Sequence, residues 1–381
     1  MRILLVSSSF FPKIDGSTRC VYDHGRKLAA RENLVYLVTR GIKGTTKEEN
    51  FEGIHVVRTP LQYQGGTLAK RAALMVQMAL AVFLVARGMK AAVIHVHGYT
   101  AALAAFPTKY ILGIPMVITT HGTELLWPRE VWWKSSMEIK LGLIFEKFVL
   151  DHCDFIIAQS EGVREYMLKI YSPAIEGKIR LIHTGVDHEK FKAPVRTEPT
   201  KMIMFVGALS EVKGVTCLID AFQGVHEAVP DSRLHLVGSG PRARAYKEYT
   251  KKLNLDGAVE FEGPVRDDNR LLELYSESDI VVLPSNVGGP ISVTLLEGMS
   301  MGRAVISTNV PGGIPDVLGN GSGLLMERGN KSQLEDFLRR LVTDGDFLLT
   351  MKERSRRTIE EKYTLDSMID KLMALYREMA A

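Results

Sequence analysis

Cysteine is scarce in this 381-residue chain, and Cys20, Cys153 and Cys217 are too few and too far apart for a disulfide framework or a zinc-ligand spacing. That usage points to a reducing cytosol. No Ser/His/Asp set is arranged as a nucleophilic triad. Aromatic residues make up 8% of the chain, and they are not interleaved with basic residues as on a nucleic-acid surface. Long apolar runs are also missing. Residues 72–86 (AALMVQMALAVFLVA) fall short of the roughly 20 residues a bilayer span needs, so they read as a buried helix. The opening MRILLVSSSFFP has a short apolar run and no small-x-small cleavage site, and it reads as a first strand rather than a signal peptide. Acidic residues vanish between Glu52 and Glu124, where Arg58, Lys70, Arg71, Arg87, Lys90 and Lys109 all lie.

What is present is 46% hydrophobic and 24% charged residues, the balance of a globular enzyme long enough for two domains. The net charge of +4 is unevenly spread: residues 1–190 carry 24 Lys+Arg against 17 Asp+Glu, the remainder 24 against 27. A basic first half suits a phosphorylated acceptor or the anionic inner face of a membrane; equally, an apolar helix leaves little room for acids. Strand-like runs alternate with helix-like segments throughout, which predicts parallel sheets with helices on both faces. Strands are expected at 3–7, 35–39, 55–58, 93–97, 116–120, 155–158 and 180–183, with helices at 19–31, 68–87, 132–151 and 161–169. Two prolines and lost periodicity at 191–200 mark a linker. Strands resume at 202–206, 234–237, 259–262, 280–283 and 304–307, and a last helix covers 364–379.

Glycine-rich loops follow four of these strands, at 7–19, 205–214, 236–241 and 284–292. Each alone is weak, because glycine after a parallel strand is expected in any such fold. The segment 280–308 (IVVLPSNVGGPISVTLLEGMSMGRAVIST) is the most informative. Its strand, loop and helix would present backbone N–H groups to an anion, and Glu297 could accept from ribose hydroxyls. The plainer reading is a βαβ unit with an exposed glutamate. Two further segments carry chemistry-bearing residues. The triplet D-G-D at 344–346 has metal-ligand spacing but reads as a solvated turn. W-P-R-E-V-W-W-K at 127–134 suits a membrane interface or lipid-linked acceptor, or a hydrophobic flap over a cleft.

Taken together, the segments FVGALSEVKG (205–214), KIRLIHTGVDHEKF (178–191), VEFEGPV (259–265), TNVPGGIPDVL (308–318), SGLL (322–325) and 280–308 resemble glycosyltransferase family 4 over nearly the whole chain. The resemblance implies a GT-B fold of two Rossmann-like doubly wound domains facing a cleft. Residues 1–190 would bind the acceptor, 191–362 a UDP- or GDP-linked sugar, and 363–381 would return as a helix to the first domain. It implies a retaining hexosyltransferase that uses no metal or other cofactor and binds no nucleic acid. Its acceptor would be a glycan, lipid-linked or phosphorylated hydroxyl, with peripheral membrane contact through the basic first domain.

By the same resemblance Lys213 and His121 (in TTHGTEL) would be catalytic. Gly16, Gly207, Lys213, Val265 and Glu297 would bind the donor nucleotide, and His121, Pro290, Ile291 and Ser292 the donor sugar. The chain departs from the family at four positions. Ala208 stands where arginine is usual, Gly289 where the first signature glutamate is usual, Thr184 for asparagine and Asp15 for a second glycine. Arg266 or Arg303 could supply the missing charge, and Asn286 the missing hydroxyl contacts. A degenerate, non-catalytic partner of a transferase is the rival these departures raise, and a sugar epimerase of the same fold is disfavoured by the motifs.

Overall fold

The computed structural model describes residues 1–13, 16–62, 68–121, 136–171, 173–193 and 198–381, so Asp15 and the 127–134 cluster lie outside the described residues. The first sheet is built from β1 (Arg2–Ser7), β2 (Leu34–Gly41), β3 (Glu48–Phe51), β4 (Ile54–Gln62), β5 (Val93–His97), β6 (Met116–Thr119), β7 (Phe155–Ala158) and β8 (Ile179–Leu181). Their spatial order is β3-β4-β2-β1-β5-β6-β7-β8, parallel except for the β3–β4 pair. Between them run α1 (Gly16–Ala30), α2 (Leu68–Met89), α3 (Tyr99–Leu112), α4 (Ser136–His152) and α5 (Glu161–Tyr171).

The two-residue period of a strand sends alternate β1 side chains to opposite faces. Ile3 and Leu5 join one core with Val21 and Leu28 of α1, and Leu4 and Val6 join another with helices α2 to α5. Central strands β5 and β6 are buried along their whole length, which is why VIHVH and MVIT read as continuous runs rather than alternating ones.

The second sheet holds β9 (Met202–Val206), β10 (Arg233–Val237), β11 (Val259–Gly263), β12 (Ile280–Leu283), β13 (Ala304–Thr308) and β14 (Leu324–Met326), all parallel in the order β11-β10-β9-β12-β13-β14. Helices α6 (Val215–Ala228), α7 (Ala243–Lys252), α8 (Asp268–Glu277), α9 (Val293–Ser300), α10 (Gly313–Leu318), α11 (Lys331–Thr343) and α12 (Gly345–Lys362) belong to this half. Both sheets are doubly wound, as the alternation predicted. The D-G-D triplet is a helix cap, with the Phe347 N–H donating to Asp344 Oδ1 at 2.9 Å.

The final helix, α13 (Leu365–Ala380), crosses back to the first sheet. Leu365, Ile369, Leu372 and Tyr376 share a core with Ile3, Leu5 and Val35, and Lys27–Asp366 and Arg180–Glu378 pair at its surface. The outgoing and returning chains touch. Val186 and Thr364 form a bridge, and a Cβ at Gly185 would sit 2.6 Å from the Thr364 carbonyl oxygen.

One expectation needs correction, and two elements carry no signal in the sequence pattern. Helix α2 is not a buried helix: it lies on the outside of the first sheet with Val76, Leu80 and Leu84 exposed, because α3 and the sheet cover only its inner stripe. Helix α3 was not anticipated, since its near-uniform apolar sequence has no 3.6-residue contrast and carries Pro107 in its interior. Strand β3 was likewise missed, a four-residue antiparallel edge with no apolar alternation.

Candidate active site

In an open parallel sheet, ligands bind beyond the C-terminal ends of the strands where connections diverge to either side. That point lies between β9 and β12 in the second sheet, and between β1 and β5 in the first. Contacts across the gap bring the two halves together: Arg19 of α1 reaches Asp268 of α8 at 3.0 Å, and the Gly162 N–H of α5 donates to Asp316 Oδ2 at 3.1 Å. A Cβ at Gly162 would lie 2.4 Å from the Gly312 carbonyl oxygen, so this approach needs a glycine.

The loops after β9 and β12 are fused at the second switch point. Gly214 has φ +69, and a Cβ there would stand 1.8 Å from the Pro284 carbonyl oxygen. Asn286 ties the same loops, its backbone N–H donating to Val212 O at 2.8 Å and its Nδ2 to Glu211 O at 2.9 Å. Its Nδ2 is therefore tied to the loop, which leaves Oδ1 as the side-chain atom that could meet a ligand. Arg303 fails as a substitute cation. It precedes β13 at the opposite end of the sheet, fully buried, and donates to Met301 O and Ser278 O at 2.7 Å each. Arg266 is exposed beyond β11.

Lys213 ends the short turn before α6 and is half-buried. Among the described residues no carboxylate pairs with its ammonium, and burial lowers its pKa. Gly214 and Ser292 are the N-cap residues of α6 and α9, and neither N-terminus has a side-chain cap hydrogen bond. Their first-turn N–H groups are open to an anion. Gly207 is half-buried after β9, with Ala208 exposed beside it. Ile291 sends its side chain into the core at 3% exposure, while Pro290 and Ser292 are half-buried. Proline has no N–H, so amide donors in this stretch begin at Ile291. Val265 is half-buried against the core beyond β11.

Glu297 is 6% exposed in α9 and accepts a hydrogen bond from the Tyr275 hydroxyl of α8 at 3.0 Å. Burial pushes its pKa up to about 7, opposed by the Arg19 guanidinium and by that hydrogen bond. Arg19 therefore stands among Glu297, Asp268 and Asp23, and Lys190 also pairs with Asp268. Sequence reading missed Arg19, because its partner lies 249 residues away.

At the first switch point Gly16 is exposed at the start of α1, with nothing within 4 Å of a Cβ placed on it. His121 follows β6 and is half-buried; its Nε2 lies 3.0 Å from His97 Nδ1, with the rings stacked. Behind it His97, His95 and His24 form a buried stack, His95 reaching Tyr376 and Thr119. Burial holds His24 down near 3 and keeps His95 and His97 well below the ordinary range, so the stack is neutral. Cys20, His24 and His97 offer ligand atoms within 4.8 Å of one another, and His235, Glu260 and Glu262 do the same at the second sheet's edge. Either group could hold a metal. The HxH spacing of β5 could have flagged the first cluster in the sequence.

Residues 14–190 match the family described as Glycosyltransferase Family 4, and residues 186–358 match glycosyl transferases group 1. The alpha-maltose-1-phosphate synthase of Mycolicibacterium smegmatis is 26% identical over 318 residues, covering 76% of this chain and 80% of that protein. Sucrose-phosphate synthase from Thermosynechococcus elongatus superposes with a TM-score of 0.84 at 21% identity, over 99% of this chain and 98% of that one. HepE of Anabaena in complex with UDP-glucose superposes with a TM-score of 0.79 at 17% identity, over 99% and 100% of the two chains.

Proposed function

The chain belongs to glycosyltransferase family 4 and is a transferase of GT-B fold; on that premise we propose that it moves a hexose from a nucleoside diphosphate sugar to an acceptor hydroxyl with retention of configuration. One observation carries the reading. At the second switch point a half-buried cation with no carboxylate partner among the described residues and two uncapped helix N-termini stand with the loop that leads to a buried carboxylate. That set matches a nucleoside diphosphate: Lys213 and the α6 and α9 N–H groups for the two phosphates, Glu297 for the ribose hydroxyls. Gly207 lets backbone approach the phosphates, and Val265 borders the base. HepE is seen in complex with UDP-glucose, which favours the uridine-linked donor over the guanosine-linked one here.

In the proposed reaction the bond from the sugar C1 to the diphosphate oxygen breaks as the acceptor oxygen bonds to C1 on the same face. The acceptor proton passes to the departing phosphate. Lys213 and the helix termini take up the growing negative charge, so the leaving group's chemistry draws on this chain's own groups. His121, fixed by His97, faces the transferred sugar together with the Pro290–Ser292 loop, and Gly16, with open space around it, lets backbone approach the donor phosphates. The acceptor is a glycan, lipid-linked or phosphorylated hydroxyl bound by residues 1–190, and the basic first half makes peripheral contact with a membrane. Products of this type are polysaccharides or glycolipids.

Replacing Lys213 with Ala tests the assignment. Turnover of the nucleotide sugar should fall by about a hundredfold or more, the weight of one charged phosphate contact. Unchanged turnover would remove Lys213 from the reaction.

A further inference from the structure

We propose that the outer surface of helices α2, α3 and α4 is a docking face for an anionic lipid bilayer. The inference deepens the peripheral-membrane part of the reading above by giving it a surface and a chemistry.

Ten large hydrophobic side chains are exposed among the described residues, and eight of them lie on these three consecutive helices. Val76, Leu80 and Leu84 recur every four residues along α2, at 68%, 57% and 57% exposure, and so form one outward stripe. Tyr110 and Ile111 of α3 are exposed to 60% and 68%, and Leu141 and Ile144 of α4 to 59% and 66%. The helices are neighbours in one layer. Met78, Val82, Ala101, Ala105, Val149 and Leu150 turn inward onto the same face of the first sheet, and Phe106 of α3 meets Phe148 of α4 edge to face at 5.9 Å. The inner stripe is thus accounted for by the core, and the outer stripe by nothing among the described residues. An apolar layer of this breadth is unusual on a free surface.

Charge decides between possible occupants. Helices α2 and α3 contain no acidic residue. Lys109 and Lys147 are neutralised by Asp154 and Asp151. Arg71, Arg87, Lys90 and Lys140 are exposed with no ion pair among the described residues. In a symmetric dimer through this face these cations would be repeated on both sides of the contact. Anionic headgroups complement them, while the leucine and isoleucine tips reach the acyl boundary. Helix α2 is long and apolar enough to cross a membrane, but its inner residues are locked into the first core, so the geometry is that of a helix lying on the bilayer.

The test is flotation of the full chain with phosphatidylcholine vesicles, with and without phosphatidylglycerol. The chain should float with the anionic vesicles, less so at high salt, and not with phosphatidylcholine alone. A Leu80→Gln/Ile144→Gln variant should bind at least about tenfold more weakly while keeping its melting temperature and its turnover of free nucleotide sugar. An Arg71→Gln/Arg87→Gln variant should lose the preference for phosphatidylglycerol. The proposal is overturned if the chain does not float with anionic vesicles, if the double apolar variant floats like the parent, or if sedimentation shows a dimer that Leu80→Gln dissociates. A parent chain that floats with anionic vesicles but turns over no nucleotide sugar would count against the transferase reading and leave this face standing.

Discussion

Burial does opposite things to the two charged residues proposed to hold the donor. It lowers the pKa of Lys213, keeping an ammonium poorly solvated and ready for a phosphate, and raises that of Glu297 to about 7. The folded chain therefore binds the Glu297 proton more tightly than the unfolded chain, whose ordinary value is 4.5. Ionising Glu297 costs stability as pH rises from about 4.5 through about 7, by a few kcal/mol at most. Relative to a Glu297→Gln variant, the parent should lose melting temperature between pH 5 and pH 8, and parallel thermal scans check this. Donor affinity should move the other way. Only the carboxylate accepts from both ribose hydroxyls, so affinity for UDP or GDP should rise through pH 7 in the parent and stay flat in the variant, as titration calorimetry would read.

At the scale of elements, the loops beyond β12 and β13 show which departures from the family the backbone requires. Gly289 and Gly312 pair as a bridge, and a Cβ at Gly312, with φ +123, would stand 2.0 Å from the Gly289 carbonyl oxygen. A Cβ at Gly289 meets nothing within 4 Å. Gly289→Glu should therefore leave the melting temperature within about 2 °C of the parent, whereas Gly312→Ala should lower it by several degrees. If the proposed donor site is right, Gly289→Glu will also shift the preference among nucleotide sugars, measurable by competing donors.

Periodicity and composition exposed most of the central strands because parallel strands buried on both faces leave continuous apolar runs. They hid α3, whose small apolar residues face sheet and neighbouring helices alike. They also misread α2, because an apolar stripe turned outward has the same sequence signature as one turned inward. The proposed donor contacts at Glu297 and Lys213 come from local motifs. Arg19, His97 and His24 were not legible in the sequence, since their meaning comes from contacts between distant segments.

Across the whole molecule, Arg19 joins the halves at the cleft. It bonds Asp268 and faces Glu297, so a ribose at the proposed donor site would meet a guanidinium contributed by the other half. Arg19→Ala should loosen this junction. We expect a larger radius of gyration without nucleotide, by small-angle scattering, and a weakened donor affinity. An unchanged radius would show that Arg19 is dispensable to the junction, which the Gly162–Asp316 contact, the Lys190–Asp268 pair and the Val186–Thr364 bridge would then hold.

Helix α13 imposes an order on biosynthesis. The first sheet begins at Arg2, yet its core includes Leu365, Ile369, Leu372 and Tyr376. While the chain emerges from the ribosome, the second sheet has all its strands and helices before the first sheet has its last covering layer. Residues of β1, synthesised long before α13, are among the last to be fully sheltered from water. Throughout that interval the face of β1 carrying Ile3 and Leu5 is covered by α1 without α13, which is where a nascent-chain chaperone would find its longest-lived apolar target.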